Sequence, residues 1–185
     1  MSPSGLAELG RRLVERAYLE GDFVLRSGRR SRYYLDKYRF ETDPALLAGI
    51  GRELAALVRA HAPQAALLAG PELGAVPLAA VTSVETGLPY VIVRKEAKEY
   101  GTANRLEGVH SPGMRVCVVE DVVTSGGALL SAIAALQSAD LDVCAAISVV
   151  DRQEGGAEAI AAAGVAYTAL FTVESLGLRP TPQTA

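Results

Sequence analysis

The chain has 185 residues, half of them apolar, and a formal net charge of −3. That length and composition suit one folded domain and exclude an intrinsically disordered chain. Charged or polar residues interrupt every long apolar run, and charges also break up the N-terminal residues, so we expect neither a membrane helix nor a secretion signal.

The first third of the chain predicts a helix, a hairpin and a second helix. The apolar spacing after Pro3 predicts a helix that ends at about Leu19. Residues 22–40 predict a strand, a Ser-Gly-Arg-Arg turn and a second strand whose alternation continues through Tyr38. The next helix is expected over residues 46–60.

The rest of the chain alternates apolar strands with helices. Strands are predicted at residues 65–70, 90–95, 115–122, 142–150 and 166–173, helices at residues 76–85, 126–136 (capped by Ser125) and 156–163, and a long loop at residues 96–113. This order predicts an α/β fold, in which helices flank a mostly parallel central sheet. In such sheets, ligands bind beyond the carboxyl ends of the strands.

Basic residues are concentrated in two short segments of this acidic chain. Residues 26–39 and 94–105 hold 10 of the 18 Lys and Arg residues. Solvated surface loops would explain such runs. However, the first segment is rich in Arg, whose planar guanidinium pairs well with phosphate and carboxylate oxygens. A small anion with several charges therefore fits both segments better than a nucleic acid does, because the chain as a whole is acidic.

The cysteines and histidines carry no metal-binding pattern. Cys117 and Cys144 lie inside valine-rich runs, which is typical of free thiols in a reducing cytoplasm. Two cysteines and two histidines, widely scattered along the chain, exclude a structural zinc site.

The strongest signal is the segment Val116–Ala128. Four apolar strand residues lead into Glu120 and Asp121, and a Thr-Ser-Gly-Gly turn at the start of a helix follows. Backbone N–H groups at a helix N-terminus suit a phosphate, and glycines let the backbone approach it. The paired carboxylates suit the hydroxyls of a ribose. Neither a Walker A loop nor a dinucleotide fingerprint is present in the sequence.

The letters VVEDVVTSGG resemble the phosphoribosyl diphosphate binding motif of the type I phosphoribosyltransferases. Three further segments resemble the orotate phosphoribosyltransferases: FVLRSGRRSRYYLD, RKEAKEYG and, at residues 151–154, DRQE. The resemblance implies one transferase domain over residues 1–185, with a small N-terminal hood from about residues 1–40. It also implies transfer of the 5-phosphoribosyl group from phosphoribosyl diphosphate (the donor) to N1 of orotate, which yields orotidine 5′-monophosphate and pyrophosphate in pyrimidine biosynthesis.

The resemblance assigns roles to matching positions. It implies that the donor is bound by Arg26, Arg94, Lys95, Lys98, Tyr100, Glu120, Asp121, Val122, Val123, Thr124, Ser125, Gly126, Gly127 and Ala128. It implies that orotate is bound by Tyr34, Leu35, Thr124 and Arg152. Lys98, Asp121 and Arg94 would be the catalytic residues. Mg²⁺ is expected as cofactor, held mainly by substrate oxygens, in a cytoplasmic homodimer with shared active sites and without nucleic acid or membrane partners.

Three departures from the family pattern leave other functions open. Tyr100 replaces a His, Leu73-Gly74 replaces a common Tyr-Lys pair, and Leu35 replaces an aromatic residue. A purine phosphoribosyltransferase uses the same donor, but a neutral purine would not need Arg152. A donor-sensing regulator without catalysis would bind nucleic acid, and we see no helix-turn-helix extension for that role.

Overall fold

The computed structural model describes residues 3–24, 30–96 and 105–178. Its helices are α1 (Pro3–Ala17), α2 (Lys37–Glu41), α3 (Pro44–His61), α4 (Ala75–Thr86), α5 (Gly127–Gln137) and α6 (Gly156–Ala162). Its strands are β1 (Tyr18–Val24), β2 (Arg30–Leu35), β3 (Leu67–Pro71), β4 (Tyr90–Val93), β5 (Leu106–Glu107), β6 (Arg115–Val123), β7 (Asp142–Asp151) and β8 (Tyr167–Thr172).

Six strands form the central sheet, in the order β5-β4-β3-β6-β7-β8. All neighbours are parallel except β5, which runs antiparallel to β4. The predicted α/β fold with a mostly parallel sheet is therefore confirmed. The carboxyl ends of β3, β4 and β6 meet at one edge, which is where ligands are expected to bind.

Each face of the sheet carries its own apolar core. Leu13 of α1, Ile50 of α3 and Leu78 of α4 pack against one face. Leu129 of α5 and Ile160 of α6 pack against the other face. Because both faces are covered, the inner strands are apolar along most of their length, as the sequence pattern predicts. Within the described part of the chain, no helix has both the length and the apolarity that crossing a membrane requires.

The N-terminal hairpin differs from the prediction in its boundaries. The first helix ends at Ala17 rather than near Leu19, because Tyr18 already pairs with Leu35 across an antiparallel ladder. Strand β1 therefore begins four residues earlier than predicted, and its register shifts between Glu20 and Phe23.

The second predicted strand is too long, since the segment after β2 is helical. The backbone N–H of Asp36 donates to the Ala17 carbonyl, and α2 starts at the next residue. The alternation expected through Tyr38 is therefore wrong. A helical turn at this point buries Phe40 completely and also encloses Glu41, which a strand could not place on the same side.

A short strand also lies within the predicted long loop. Leu106 pairs with Val93 and Glu107 with Ile92. Two residues are too few for a periodic pattern, so the sequence carried no signal for β5. Asp43, in contrast, caps α3 as its position before Pro44 suggests, because its carboxylate accepts from the N–H groups of Ala45 and Leu46.

Candidate active site

A cavity of about 710 Å³ opens at the carboxyl ends of β3, β4 and β6. All of the predicted donor-binding residues that the structure describes line it together: Arg94, Lys95, Glu120, Asp121, Val122, Val123, Thr124, Ser125, Gly126, Gly127 and Ala128. Predicted residues from two separate segments of the chain, 94–95 and 120–128, therefore meet in one place.

The turn between β6 and α5 forms one wall of this cavity. Gly126 adopts a left-handed conformation with φ of +81°, and α5 begins at Gly127. Gly126, not Ser125, is thus the N-cap, and no side chain caps the helix. The predicted Ser125 cap is therefore wrong. The residue at the cap position has a left-handed backbone, which only glycine adopts at low cost, so the cap falls on Gly126. The first N–H groups of α5 have no partner within the helix, which suits them to an anion.

The start of α6 holds the turn from behind. A Cβ atom at Gly156 would overlap Val123 Cγ1, and it would lie 2.5 Å from the Thr124 carbonyl oxygen and 3.1 Å from the Gly126 nitrogen. Because two of these neighbours are backbone atoms, the turn has little room to yield. The loop therefore has a fixed shape that depends on a glycine in another element.

The paired acids lie beside the turn and are nearly buried. Glu120 is 6% exposed and Asp121 is 3% exposed. The Asp121 N–H donates to Glu120 Oε1 at 3.0 Å, and the Val122 N–H donates to Asp121 Oδ1 at 2.5 Å. Burial, together with the neighbouring Asp121 charge, raises the pKa of Glu120 well above its usual value. Two adjacent acids in such a site favour polar ligands that can donate hydrogen bonds.

Sequence reasoning missed two side chains that reach this site from α2. Lys37 Nζ donates to Asp121 Oδ2 at 2.5 Å, and both residues line the cavity. Glu41 is 2% exposed, and burial, followed by the charge of Asp121, raises its pKa to about 8. Lys37 belongs to the first basic segment, which was the available signal. The contact spans 84 positions, so no local pattern could reveal it.

Ion pairs and hydrogen bonds position the basic residues at the cavity rim. Arg94 lies between Glu72, at 3.8 Å, and Glu107, at 3.7 Å. The backbone N–H of Lys95 donates to Glu72 Oε1 at 2.7 Å. Arg105 also lines the cavity, and its Nε donates to the Arg94 carbonyl. The predicted sets did not include Glu72 and Arg105, although Arg105 closes the second basic segment.

The structure does not bring the four predicted orotate residues together in the cavity. Thr124 lines it, whereas Leu35 is 5% exposed and packs in the core. Tyr34 lies on the hairpin, with its ring centroid 5.6 Å from that of Phe23. Arg152 is 5% exposed, with its Nε 3.1 Å from Glu154 Oε1.

Tyr33, which the sequence analysis did not assign, connects the hairpin to Arg152. The guanidinium carbon of Arg152 lies 5.4 Å from the Tyr33 ring centroid. Tyr18 stacks on the same ring, with the two centroids 5.7 Å apart. Arg26, Lys98 and Tyr100 fall outside the described residues, so their predicted roles stay predictions.

Comparison with known proteins agrees with this geometry. The phosphoribosyl transferase domain family matches residues 39–163. The orotate phosphoribosyltransferase of Methanocella arvoryzae is 49% identical over 161 residues, which cover 86% of this chain and 90% of that protein. The corresponding protein of Methanopyrus kandleri is 45% identical over 187 residues and covers 100% of this chain and 98% of its own length.

Solved structures give the same result. Mycobacterium tuberculosis orotate phosphoribosyltransferase, solved in complex with 5-phospho-alpha-D-ribosyl 1-diphosphate, matches with a TM-score of 0.80 and 33% identity, over 94% of this chain and 99% of that one. The Aeropyrum pernix enzyme matches with a TM-score of 0.80 and 35% identity, over 91% and 95% of the two chains. The chain therefore belongs to the orotate phosphoribosyltransferases, within the phosphoribosyl transferase domain family.

Proposed function

We propose that this chain transfers the 5-phosphoribosyl group of phosphoribosyl diphosphate to N1 of orotate, releasing pyrophosphate and forming orotidine 5′-monophosphate for pyrimidine biosynthesis. One observation carries the proposal beyond family membership. The Thr124–Ala128 turn and the paired acids Glu120 and Asp121 line the same cavity, next to Arg94 and Lys95. A phosphate site, two hydroxyl acceptors and a cationic rim are what this donor requires.

The donor is proposed to lie along the cavity from the turn to the rim. The N–H groups at the start of α5 and the hydroxyls of Thr124 and Ser125 would hold its 5′-phosphate. Glu120 and Asp121 would accept hydrogen bonds from the ribose hydroxyls. Arg94 and Lys95 would face the diphosphate, assisted by Lys98, Tyr100 and Arg26.

The proposed reaction needs positioning and charge stabilisation rather than a covalent nucleophile. Positive charge develops on the ribose ring and negative charge on the departing pyrophosphate. Arg94 and Lys98 would stabilise the leaving group, while Asp121 would hold the ribose as its charge develops. Glu72 and Glu107 lie on either side of Arg94 and would keep its side chain at the rim of the cavity.

Mg²⁺ is proposed to enter with the donor. Among the residues that the structure describes, no group of three or more His, Cys, Asp or Glu side chains could hold a metal ion. Mg²⁺ prefers oxygen ligands and commonly binds through substrate phosphates, so the donor itself would supply most of its ligands. When bound, the ion neutralises charge on the diphosphate; the residues that hold the donor would hold the ion indirectly.

Orotate, the nucleobase that accepts the phosphoribosyl group, is proposed to lie between the turn and the N-terminal hood. Thr124 would contact orotate from the turn, and Arg152 would pair with its carboxylate through two parallel hydrogen bonds. Tyr34 would flank the ring. Leu35, the other residue predicted for this role, packs in the core and would only support the hairpin from behind. The contact between Arg152 and Tyr33 supports this arrangement, because it brings the hairpin against the predicted carboxylate partner.

We further propose that residues 1–185 act as one domain, that two copies share their active sites, and that the reaction takes place in the cytoplasm. Cys117 and Cys144 are free thiols, which supports a reducing compartment. Light scattering after gel filtration tests the dimer. Mixing two inactive variants, each altered in a different half of the site, tests sharing: restored activity supports it, and no restoration contradicts it.

A spectrophotometric assay tests the function itself. The purified chain is mixed with orotate, phosphoribosyl diphosphate and Mg²⁺, and the absorbance of orotate is followed. We expect a loss of absorbance that requires all three components. No loss with orotate, combined with turnover of adenine, guanine or xanthine, would select a purine enzyme; donor binding without turnover of any base would select a regulator.

A further inference from the structure

Lys37 is the cation nearest to the paired acids in the described part of the cavity. It is the first residue of α2, and its side chain is 30% exposed, whereas that of Asp121 is 4% exposed. The ammonium group thus lies at the boundary between a buried carboxylate and the open cavity. An ammonium group has three donors, and the contact with Asp121 uses one of them.

The contact exists because position 74 has no side chain. A Cβ atom at Gly74 would overlap Asp121 Oδ2, and it would lie 2.8 Å from Glu41 Oε1 and 3.0 Å from Lys37 Nζ. The carboxyl groups of Glu41 and Asp121 and the ammonium group of Lys37 therefore meet above a bare Cα atom. A side chain at position 74 would displace these groups, whereas with glycine there Lys37 brings its positive charge to this spot from another element.

The positive charge of Lys37 favours binding of an anionic donor beside these acids. Three carboxyl groups, those of Glu41, Glu120 and Asp121, surround one ammonium. Burial disfavours the charge on Lys37, but Asp121, Glu41 and Glu120 outweigh this effect, and the pKa of Lys37 is raised. Lys37 is therefore charged at neutral pH and cancels the charge of Asp121, which would otherwise repel phosphoryl oxygens at this end of the cavity.

We propose that Lys37 is a donor-binding residue that bridges Asp121 and the diphosphate of phosphoribosyl diphosphate. This role rests on the proposed function for the identity of the donor. Lys37 keeps one hydrogen bond to Asp121 and uses its remaining donors on diphosphate oxygens. It thereby couples the carboxylate that would hold the ribose to the group that would leave it.

Isothermal titration calorimetry of the full chain with two ligands in the presence of Mg²⁺ tests the bridge. The first ligand is phosphoribosyl diphosphate, and the second is ribose 5-phosphate, which lacks the diphosphate. Replacing Lys37 with Met or Gln should weaken binding of the diphosphate ligand at least about tenfold, the value of one charge-assisted hydrogen bond, and change binding of ribose 5-phosphate less than about twofold. Arg39→Met is the matched control, because Arg39 lies on the same helix, is exposed, and pairs with Asp36.

Two results would overturn the proposal. If binding of both ligands is weakened equally, Lys37 only shapes the site. If binding of both ligands is unchanged, Lys37 does not contact the donor. If the neutral variants fail to fold, reductive methylation of the unaltered chain with mass spectrometry decides. The diphosphate ligand should protect Lys37 and ribose 5-phosphate should not, whereas equal protection or none contradicts the bridge. Since no orotate is present, these outcomes are independent of whether the chain consumes orotate.

Discussion

Replacing Gly126 with Ala perturbs the phosphate-binding turn directly. Gly126 has a φ of +81°, so an L-amino acid at this position is strained whatever its surroundings. Its Cβ atom would also lie 3.2 Å from the Gly156 carbonyl oxygen and 3.3 Å from the Gly156 Cα atom. Both neighbours are backbone atoms, so the turn itself must move by a few tenths of an ångström.

The expected cost has two parts. The left-handed conformation costs about 1–2 kcal/mol of stability. For a chain of this size, that corresponds to a fall in Tm of roughly 2–8 °C. Displacement of the turn misaligns one or two N–H groups toward the 5′-phosphate, and losing the value of one hydrogen bond to a charged group weakens donor binding roughly tenfold.

Gly164→Ala is the matched control. Gly164 has a φ of +78°, but a Cβ atom there has no neighbour within 4 Å, and the residue lies beyond α6, away from the cavity lining. Thermal unfolding should show a similar loss of stability in both variants. Calorimetric titration with the donor should show weaker binding in the Gly126 variant alone. Equal donor affinity in the two variants would refute the assignment of this turn as the phosphate site.

Three further predictions concern single side chains. Glu41 keeps its proton up to about pH 8 in the folded chain but only up to about pH 4.5 in the unfolded chain. Between these pH values, Glu41 therefore lowers the free energy of unfolding as pH rises, by up to about 1.4 kcal/mol per pH unit. Glu41→Gln should flatten this slope in urea unfolding at pH 5, 6.5 and 8, and an unchanged slope would contradict the raised pKa. Lys98→Ala should lower turnover about a hundredfold, as loss of a charge-stabilising donor does, with unchanged Tm; turnover within twofold of the unaltered chain excludes the role. Arg152→Met should raise the KM for orotate about tenfold or more, while Arg115→Met, at the end of β6 that lies away from the cavity, should not; equal values for the two variants would disprove the carboxylate contact.

Much of the fold could be predicted because the inner strands are apolar along their length. Strands such as β6 and β7 are buried on both faces, so their sequences are apolar along most of their length and alternate with helices. The place of the site followed from the same pattern, because polar residues follow the strands at one edge of the sheet. The motif at Glu120–Gly127 then carried the most specific signal for the ligand.

The parts that could not be predicted depend on contacts between distant segments. Helix α2 forms where a strand alternation was expected, because the core encloses Phe40. The cluster of Lys37, Glu41 and Asp121 requires α2, the end of β6 and the bare Cα atom of Gly74 at once. The N-cap at Gly126 depends on a left-handed backbone. The sequence favoured Ser125 instead, because serine is a common N-cap residue.

A crystal structure of the chain with phosphoribosyl diphosphate and Mg²⁺ tests the central claim most directly. We predict that the 5′-phosphate accepts hydrogen bonds from the backbone N–H groups between Ser125 and Ala128, and that the ribose hydroxyls donate to Glu120 and Asp121. Density for the donor elsewhere on the protein, with Glu120 and Asp121 contacting no part of it, would contradict the account.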